Sequence, residues 1–294
     1  MLYHRNAVPR APARSVILGA SGFIGSAIMR KLERAGGAVV GLGRKEIDLL
    51  EDSAATQLAE RLHADDALVI VSAHAPCKTP VMMLENIGIM ASVCQALAKR
   101  PVAHLIYVSS DAVYADGPLP LTETSPAAPT SLHGAMHLAR EQMLQVAADA
   151  TPLAILRPTL VYGAADPHNG YGPNKFRRLA NRGEAIVLFG EGEERRDHVD
   201  VDDIAEIVRL VLERRSAGVL NVATGTVASF RVLADKAVAL SPRKVEIKSS
   251  PRNGPMPHNG YRPFDPAATY SAFPGFHYTG LDAGLARAQR QEFG

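Results

Sequence analysis

The heptapeptide "GASGFIG" near the start of the chain constrains the fold more than any other stretch. It places Gly19, Gly22 and Gly25 at every third position, after the apolar run "SVILGA" and before "SAIMRKLERAG", whose apolar spacing is helical. Glycines at these points permit a tight turn, close approach of the backbone to a ligand, and tight packing of helix against strand. The order strand, glycine turn, helix therefore predicts the first unit of an α/β domain.

The first half of the chain continues this alternation of strands and helices. Further strands are predicted at 38–43, 67–73, 104–110 and 153–158, and helices at 26–36, 53–62, 81–100 and 136–150. Strands separated by helices of this length predict right-handed crossovers and a parallel sheet with helices on both faces. The predicted fold class is therefore α/β, a doubly wound parallel sheet of the Rossmann type.

Composition excludes several classes of protein. A net charge of +2 over 294 residues argues against a dedicated binder of nucleic acid or of membrane surfaces. No continuous apolar run reaches the roughly 18 residues that span a bilayer. The two cysteines, Cys77 and Cys94, indicate no disulfide framework, which fits a reducing compartment and predicts a cytoplasmic protein.

The glycine loop predicts a binding site for the pyrophosphate of a dinucleotide. A helix that begins directly after such a loop offers free N–H groups and the positive end of its dipole to phosphate. Ala73, at the end of the third predicted strand, is expected at the same site. The loop residues expected to contact the cofactor are Gly19, Ser21, Gly22, Phe23, Ile24 and Gly25.

The end of the second predicted strand bears on which dinucleotide binds. An acidic residue there would accept hydrogen bonds from the adenosine ribose and favour NAD. This chain has Gly43, Arg44 and Lys45 instead, and a cation can pair with a 2′-phosphate, so NADP is favoured slightly over NAD. Asp48 and Leu49 follow and are placed to border the adenine.

The pattern changes beyond about residue 163, where stretches rich in proline and glycine flank shorter elements. We predict a dinucleotide-binding Rossmann domain over 15–162, with its sheet completed by segments near 196–223. Residues 163–294 are predicted to form mainly a small C-terminal substrate-binding lobe. Residues 1–14 are basic and rich in proline and contain no apolar region of the kind found in a signal peptide before Ser15, which predicts a flexible tail.

From Ser15 to about residue 285, the chain resembles the extended short-chain dehydrogenases/reductases. Within that family it is similar to the nucleotide-sugar epimerases, dehydratases and ketoreductases. The motifs that carry the resemblance, in the family's order, are "GASGFIG", "LIYVSSDAVYAD" (105–116), "LRPTLVYG" (156–163), "RRDHVDVDDIA" (195–205) and "GVLNVATG" (218–225). The resemblance implies a bound NAD or NADP, a nucleotide-diphosphate sugar as substrate, and a homodimer formed through helices near 81–100 and 131–148.

The resemblance also implies an active site with a Ser or Thr, a Tyr, and a Lys one helical turn after the Tyr. By position, Ser110 fills the first place, but the stretch "SLHGAMHLARE" puts His133 and His137 in the other two. In the family, the Tyr exchanges a proton with the substrate and the Lys holds the nicotinamide ribose. Ala112 stands where 4,6-dehydratases carry a catalytic glutamate, which disfavours dehydration.

Three interpretations of the two histidines remain open. An imidazole titrates at about pH 6.5, so His133 could move the proton without a neighbouring cation while His137 binds the ribose and so contacts the cofactor. Alternatively, the site binds dinucleotide and sugar nucleotide without turnover. Histidines four residues apart on a helix can also ligate zinc, but the glutamate of an "HExxH" site is absent, and we predict no metal.

Three residues of the second half are predicted to bind the substrate, by resemblance. Arg196 matches an arginine that contacts the substrate diphosphate, and Arg262 in "GYRPFD" resembles a second arginine that faces the phosphates. Asn174 in "GPNKF" is placed like a residue that closes over the nucleotide. Guanidinium groups suit a diphosphate because each can donate two parallel hydrogen bonds.

These features predict an NAD(P)-dependent nucleotide-sugar epimerase or 4-ketoreductase in which the altered site puts catalysis itself in question. An epimerase keeps its NAD and returns the hydride, whereas a reductase releases NADP, and Arg44 fits the reductase better. The alternative is a non-catalytic protein that binds NAD(P) and a nucleotide sugar.

Overall fold

The computed structural model describes residues 1–294 and contains a seven-stranded central sheet with helices on both faces. The strands are β1 Tyr3–His4, β2 Arg14–Leu18, β3 Val39–Leu42, β4 Asp66–Ile70, β5 His104–Val108, β6 Leu153–Pro158, β7 Leu160–Tyr162, β8 Ile186–Phe189, β9 Arg195–Asp200, β10 Ser216–Val222, β11 Val227–Ser229, β12 Ile247–Ser250 and β13 Tyr261–Arg262. The helices are α1 Phe23–Arg34, α2 Ala54–Arg61, α3 Pro80–Lys99, α4 Leu132–Ala148, α5 Pro173–Arg182, α6 Val201–Arg214, α7 Phe230–Ala239, α8 Ala267–Ala272 and α9 Leu281–Phe293.

The central sheet confirms the predicted doubly wound α/β fold. Its strand order is β1-β10-β6-β5-β4-β2-β3, and every neighbouring pair except β1 with β10 is parallel. The order reverses between β2 and β4, so the loops after these two strands separate and leave a crevice. Of the segments near 196–223, β10 joins this sheet, whereas β9 pairs with β7, β11 and β13.

The start of the chain differs from the predicted flexible tail over 1–14. Residues 3 and 4 form β1 antiparallel to β10, and the two ring nitrogens of His4 lie 2.8 Å from Ser216 Oγ and 2.9 Å from Ala272 O. This strand could not be predicted because two residues are too few to show alternation. The pairing covers the outer edge of β10 over those residues.

Two apolar layers enclose the sheet. Helices α1 and α6 pack together on one face, and α2, α3 and α4 cover the other. By length and composition, α3 is the one helix apolar enough to cross a membrane, which the count of continuous apolar residues did not indicate. It buries Met90, Val93 and the polar Asn86 against its neighbours, and the outward side of the helix is exposed.

The C-terminal lobe is built from small sheets and two helices. Strands β7, β9, β11 and β13 form one sheet, β8 and β12 pair in parallel, and α5 packs on α7 through Phe176, Phe230 and Leu233. Strand β7 follows β6 after one residue, and β9 runs directly into α6. These short connections hold the lobe beside the carboxyl end of the central sheet, where ligands of this fold bind.

Candidate active site

The glycine loop packs directly against the carboxyl end of β4. Gly19 has a φ of +93°, and a Cβ there would stand 2.7 Å from the Ser72 nitrogen. A Cβ at Gly25 would stand 2.2 Å from the Gly19 oxygen. Gly22 meets nothing nearer than 3.3 Å, and it precedes the first turn of α1, which no side chain caps. Two glycines therefore serve the packing, while Gly22 leaves the backbone open to a ligand.

A cavity of about 290 Å³ lies beside this loop. Its walls come from the ends of β2, β3 and β4 and from the segment after β3. The predicted cofactor residues that line it are Gly19, Ser21, Gly22, Arg44, Asp48, Leu49 and Ala73. The other predicted cofactor residues lie elsewhere. Phe23 lies beside Gly163, and Gly25 is buried in the packing of the loop. Ile24 and His137 line a second cavity, which adjoins this one.

The polar rim of this cavity contains one positively and one negatively charged side chain, Arg44 and Asp48. Arg44 is two-thirds exposed, and its Nε donates to Asp48 Oδ2 at 3.1 Å. The Leu50 N–H and then Arg44 hold the pKa of Asp48 below its ordinary value. Glu46, which the sequence analysis passed over, folds back so that its Oε2 accepts from the Gly43 N–H at 2.8 Å. A carboxyl group thus lies near the end of β3, but it comes from a residue three positions after Gly43, where an acidic residue would favour NAD.

A second cavity of about 450 Å³ adjoins the first, and Val71 and Ala73 line both. It separates the carboxyl edge of the central sheet from the lobe. The structure brings five of the predicted catalytic and substrate-binding residues together around it, namely Ser110, His133, His137, Asn174 and Arg196. It adds Asp111, Asp166 and His198, whose polar character alone carried no signal in the sequence.

A buried network fixes the helix that carries both histidines. Glu141 of α4 accepts from Arg157 Nη2 at 2.5 Å and Nε at 3.0 Å, and from the hydroxyl of Ser109 at 2.5 Å. At the other end of α4, a Cβ at Gly134 would stand 2.0 Å from Ala112 O, so the helix lies directly on the turn that follows Ser110. These contacts join α4 to β5, β6 and the serine.

His137 is held as a neutral ring. Its Nδ1 lies 2.7 Å from the hydroxyl of Tyr107, and burial raises the pKa of Tyr107 to about 12. The phenol therefore keeps its proton, and the two groups share one hydrogen bond in which either the phenol or Nδ1 is the donor. Burial, and then the charges of His133 and Arg140, lower the pKa of His137 well below its ordinary value.

A backbone hydrogen bond fixes the tautomer of His133. The Cys77 N–H donates to its Nδ1 at 3.3 Å, so the neutral ring carries its proton on Nε2. Burial lowers the pKa of His133, although the carboxyl group of Asp111 opposes that shift. The two imidazoles meet edge to face, with ring centroids 4.7 Å apart. His133 therefore has no free lone pair with which to accept a proton from a substrate hydroxyl.

Arg140 places a buried positive charge behind the histidines. Its Nη2 donates to Ser72 O at 2.6 Å and its Nη1 to Asn86 Oδ1 at 3.3 Å, and the guanidinium lies 5.2 Å from the centroid of the Tyr107 ring. These partners are all neutral, its Nε has none, and burial lowers the pKa of Arg140. Because like charges repel, this cation disfavours a second positive charge on His137.

The three predicted substrate residues behave differently. Arg196 lines the cavity, with Nη1 3.4 Å from Glu194 Oε1 and Nη2 3.8 Å from Asp111 Oδ2. Asn174 also lines it, but its amide is used internally, accepting from the Gly163 N–H at 3.1 Å and donating to Asp166 at 2.8 Å.

Arg262 does not face the cavity as expected. Its guanidinium is buried, with Nε donating to Asp111 Oδ2 at 3.0 Å, Nη1 to Asp116 Oδ1 at 2.5 Å, and Nη2 to Asp111 O at 2.7 Å. The carboxyl groups of Asp111 and Asp116 hold it inside the protein, which corrects its assignment as a phosphate-facing residue in this structure.

Comparison with known proteins places this arrangement among its relatives. Residues 15–223 match the model of the NAD dependent epimerase/dehydratase family. The chain is 27% identical to a dTDP-6-deoxy-L-talose 4-dehydrogenase (NAD(P)(+)) of Kitasatospora kifunensis, over 87% of this chain and 88% of that protein. It is 31% identical to a putative GDP-L-fucose synthase 2 of Oryza sativa subsp. japonica, over 76% and 71%. The fold matches UDP-glucose 4-epimerase of Thermus thermophilus, solved with NAD, with a TM-score of 0.82, 23% identity, and 96% and 99% coverage.

We predict that Gly22→Val weakens dinucleotide binding by about tenfold or more, because a side chain there fills the space that the pyrophosphate needs. The fold should survive, since Gly22 has ordinary backbone angles and an added Cβ meets only the Gly19 oxygen, at 3.3 Å, which must shift by a few tenths of an ångström. Calorimetric titration with NAD and NADP measures the effect. Gly117→Val is the matched control, because a Cβ there meets nothing within 4 Å. Equal affinity of wild type and Gly22→Val would show that the site is assigned wrongly.

Proposed function

This chain belongs to the NAD-dependent epimerase/dehydratase family, and on that premise we propose that it binds NAD(P) and a nucleotide-diphosphate sugar. The cofactor occupies the cavity beside the glycine loop, and the sugar occupies the adjoining cavity at Ser110 and the two histidines. The reaction of such a site is hydride exchange between the nicotinamide and a sugar carbon, as in 4-epimerisation or 4-ketoreduction. What supports this proposal is that the two cavities adjoin at Val71 and Ala73, and that the second is lined by Ser110, His133 and His137, the positions where the family keeps its catalytic groups.

We further propose that the proton-transfer step of this site is impaired. Oxidation of a sugar hydroxyl requires a base to take its proton while the hydride leaves the carbon. The observation that carries the proposal is that Nδ1 of His133, the residue at the position of the family's tyrosine, already accepts a hydrogen bond from the Cys77 N–H. The Nε2–H group of His133 can therefore donate to a carbonyl oxygen, but it cannot take a proton from a hydroxyl.

The same observation favours a second candidate, a non-catalytic protein that binds NAD(P) and a nucleotide sugar. The competing view is an active epimerase or reductase in which His133 is itself the acid and base. The non-catalytic protein and the active enzyme would bind the same ligands and differ only in turnover, so kinetic measurements separate them. We also propose that the protein is cytoplasmic, since Cys77 and Cys94 are both free thiols.

We predict that the double change His133→Tyr plus His137→Lys raises hydride transfer by about 10²–10⁴-fold, the range that general acid/base catalysis contributes. A phenol restores a proton-transfer group, and an ammonium beside it lowers its pKa. Each single change should do less. The measurement is pre-steady-state absorbance of the nicotinamide with a panel of nucleotide sugars.

The control for this experiment is His168→Tyr, which adds a phenol elsewhere in the lining of the same cavity. It should leave the rate unchanged. If the wild type transfers hydride at rates typical of enzymes and His133→Ala abolishes that activity, the impaired site is refuted and His133 is the catalyst.

We predict that NADP binds more tightly than NAD, because the exposed guanidinium of Arg44 lines the cofactor cavity and can pair with a 2′-phosphate. Arg44→Ala should weaken NADP binding by about tenfold or more and leave NAD binding nearly unchanged, since a hydrogen bond to a charged group contributes about 1.5–3 kcal/mol. Lys45→Ala, which removes a cation outside that lining, is the control in the same titration. A wild type that prefers NAD contradicts the proposal.

We predict a homodimer formed through α3 and α4. These helices pack on each other, and apolar side chains such as Leu84 and Val146 remain 73% and 85% exposed. Light scattering at micromolar concentration should give about twice the 31.4 kDa chain mass. Leu84→Glu should shift it toward the monomer, whereas Val187→Glu, at an exposed site on the lobe, should not. A monomeric wild type rules the dimer out.

A further inference from the structure

The charges that line the larger cavity do not match a diphosphate. Arg196 is its one lysine or arginine, and the carboxyl groups of Asp111 and Asp166 line it as well. Asp166 is engaged by the Asn174 amide at 2.8 Å and by the His168 N–H at 3.1 Å. Asp111 is therefore the carboxyl group in the cavity that stands beside Arg196.

Asp111 lies between two guanidinium groups. Its Oδ2 accepts from Arg262 Nε at 3.0 Å and stands 3.8 Å from Arg196 Nη2, and the side chain is only 8% exposed. Arg262 is tied further by Asp116 Oδ1 at 2.5 Å and by Asp111 O at 2.7 Å. On its other side, Arg196 lies 3.4 Å from Glu194. Both positive charges are thus already balanced by carboxylates inside the protein.

We infer that Asp111 is a specificity-determining residue that weakens the binding of the substrate's diphosphate. An anionic ligand that reaches Arg196 must also approach the Asp111 carboxylate. This carboxylate already pairs with the Arg196 guanidinium, to which the ligand would otherwise bind. Like charges this close repel, and the repulsion is strong where water is excluded. The residue discriminates against high negative charge at this point of the cavity, and it holds Arg262 away from the ligand. The inference rests on the nucleotide-sugar site proposed above.

The test is calorimetric titration of the NAD-saturated protein with UDP, dTDP, GDP and ADP, comparing wild type with Asp111→Asn. The amide keeps the size of the side chain and an oxygen acceptor for Arg262 Nε, but it removes the charge. Whichever of these diphosphates binds the wild type should bind Asp111→Asn more tightly, by about tenfold or more. Its parent nucleoside, which lacks phosphate, should bind both proteins equally.

Asp116→Asn is the matched control, because it also removes a carboxylate partner of Arg262 but lies outside the cavity lining. It should change the affinity much less. Asp111→Ser repeats the comparison with a smaller side chain, and circular dichroism melts show that each variant is folded. Equal diphosphate affinity of wild type and both Asp111 variants overturns the inference, as does an equal gain in Asp116→Asn. In those cases the proposed nucleotide-sugar site still stands. If no diphosphate binds any of the proteins, that proposal fails, and the inference fails with it.

Discussion

The buried ion pair between Glu141 and Arg157 holds helix α4 on the central sheet, and the arrangement of the site depends on it. Removal of one partner from such a pair typically destabilises a protein by about 3–5 kcal/mol, because the other charge is left buried without a partner. The same carboxylate accepts from Ser109, the residue before Ser110. One interaction therefore fixes both the helix that carries the histidines and the strand end that carries the serine.

Within that frame, the positive charges near the histidines either lie behind the cavity or are already paired with carboxylates of the protein. Arg140 lies behind Tyr107, and its charge reinforces the neutrality of His137. The charge of Arg196 is met by carboxylates of the protein itself. We propose that His133 and His137 stand at the positions of the family's Tyr and Lys, which would instead put a mobile proton and a cation at the substrate. The two adjoining cavities are present, and His133 presents a neutral N–H group where the proposed chemistry would take place.

Features set by local sequence could be predicted, and features set by distant partners could not. The glycine loop and the parallel sheet were accessible because the turn, the apolar strands and the helical spacing are each encoded within a few residues. Arg262 was assigned to the substrate because its motif is local, but Asp111 and Asp116, which hold it, lie about 150 residues earlier in the chain. The neutral surroundings of Arg140 and the short strand β1 likewise could not be predicted, because neither produces a periodic pattern of apolar residues.

The most direct test of the account is the protonation state of the two histidines. Heteronuclear NMR of protein labelled with ¹⁵N-histidine, assigned with His133→Ala and His137→Ala, reports which ring nitrogen carries the proton. We predict neutral rings for both residues at neutral pH, with the proton of His133 on Nε2. They should stay neutral as the pH falls through about 6.5, the ordinary value of a histidine, because both pKa values are lowered. A proton on Nδ1 of His133, or titration of either ring at the ordinary pKa, would contradict the account.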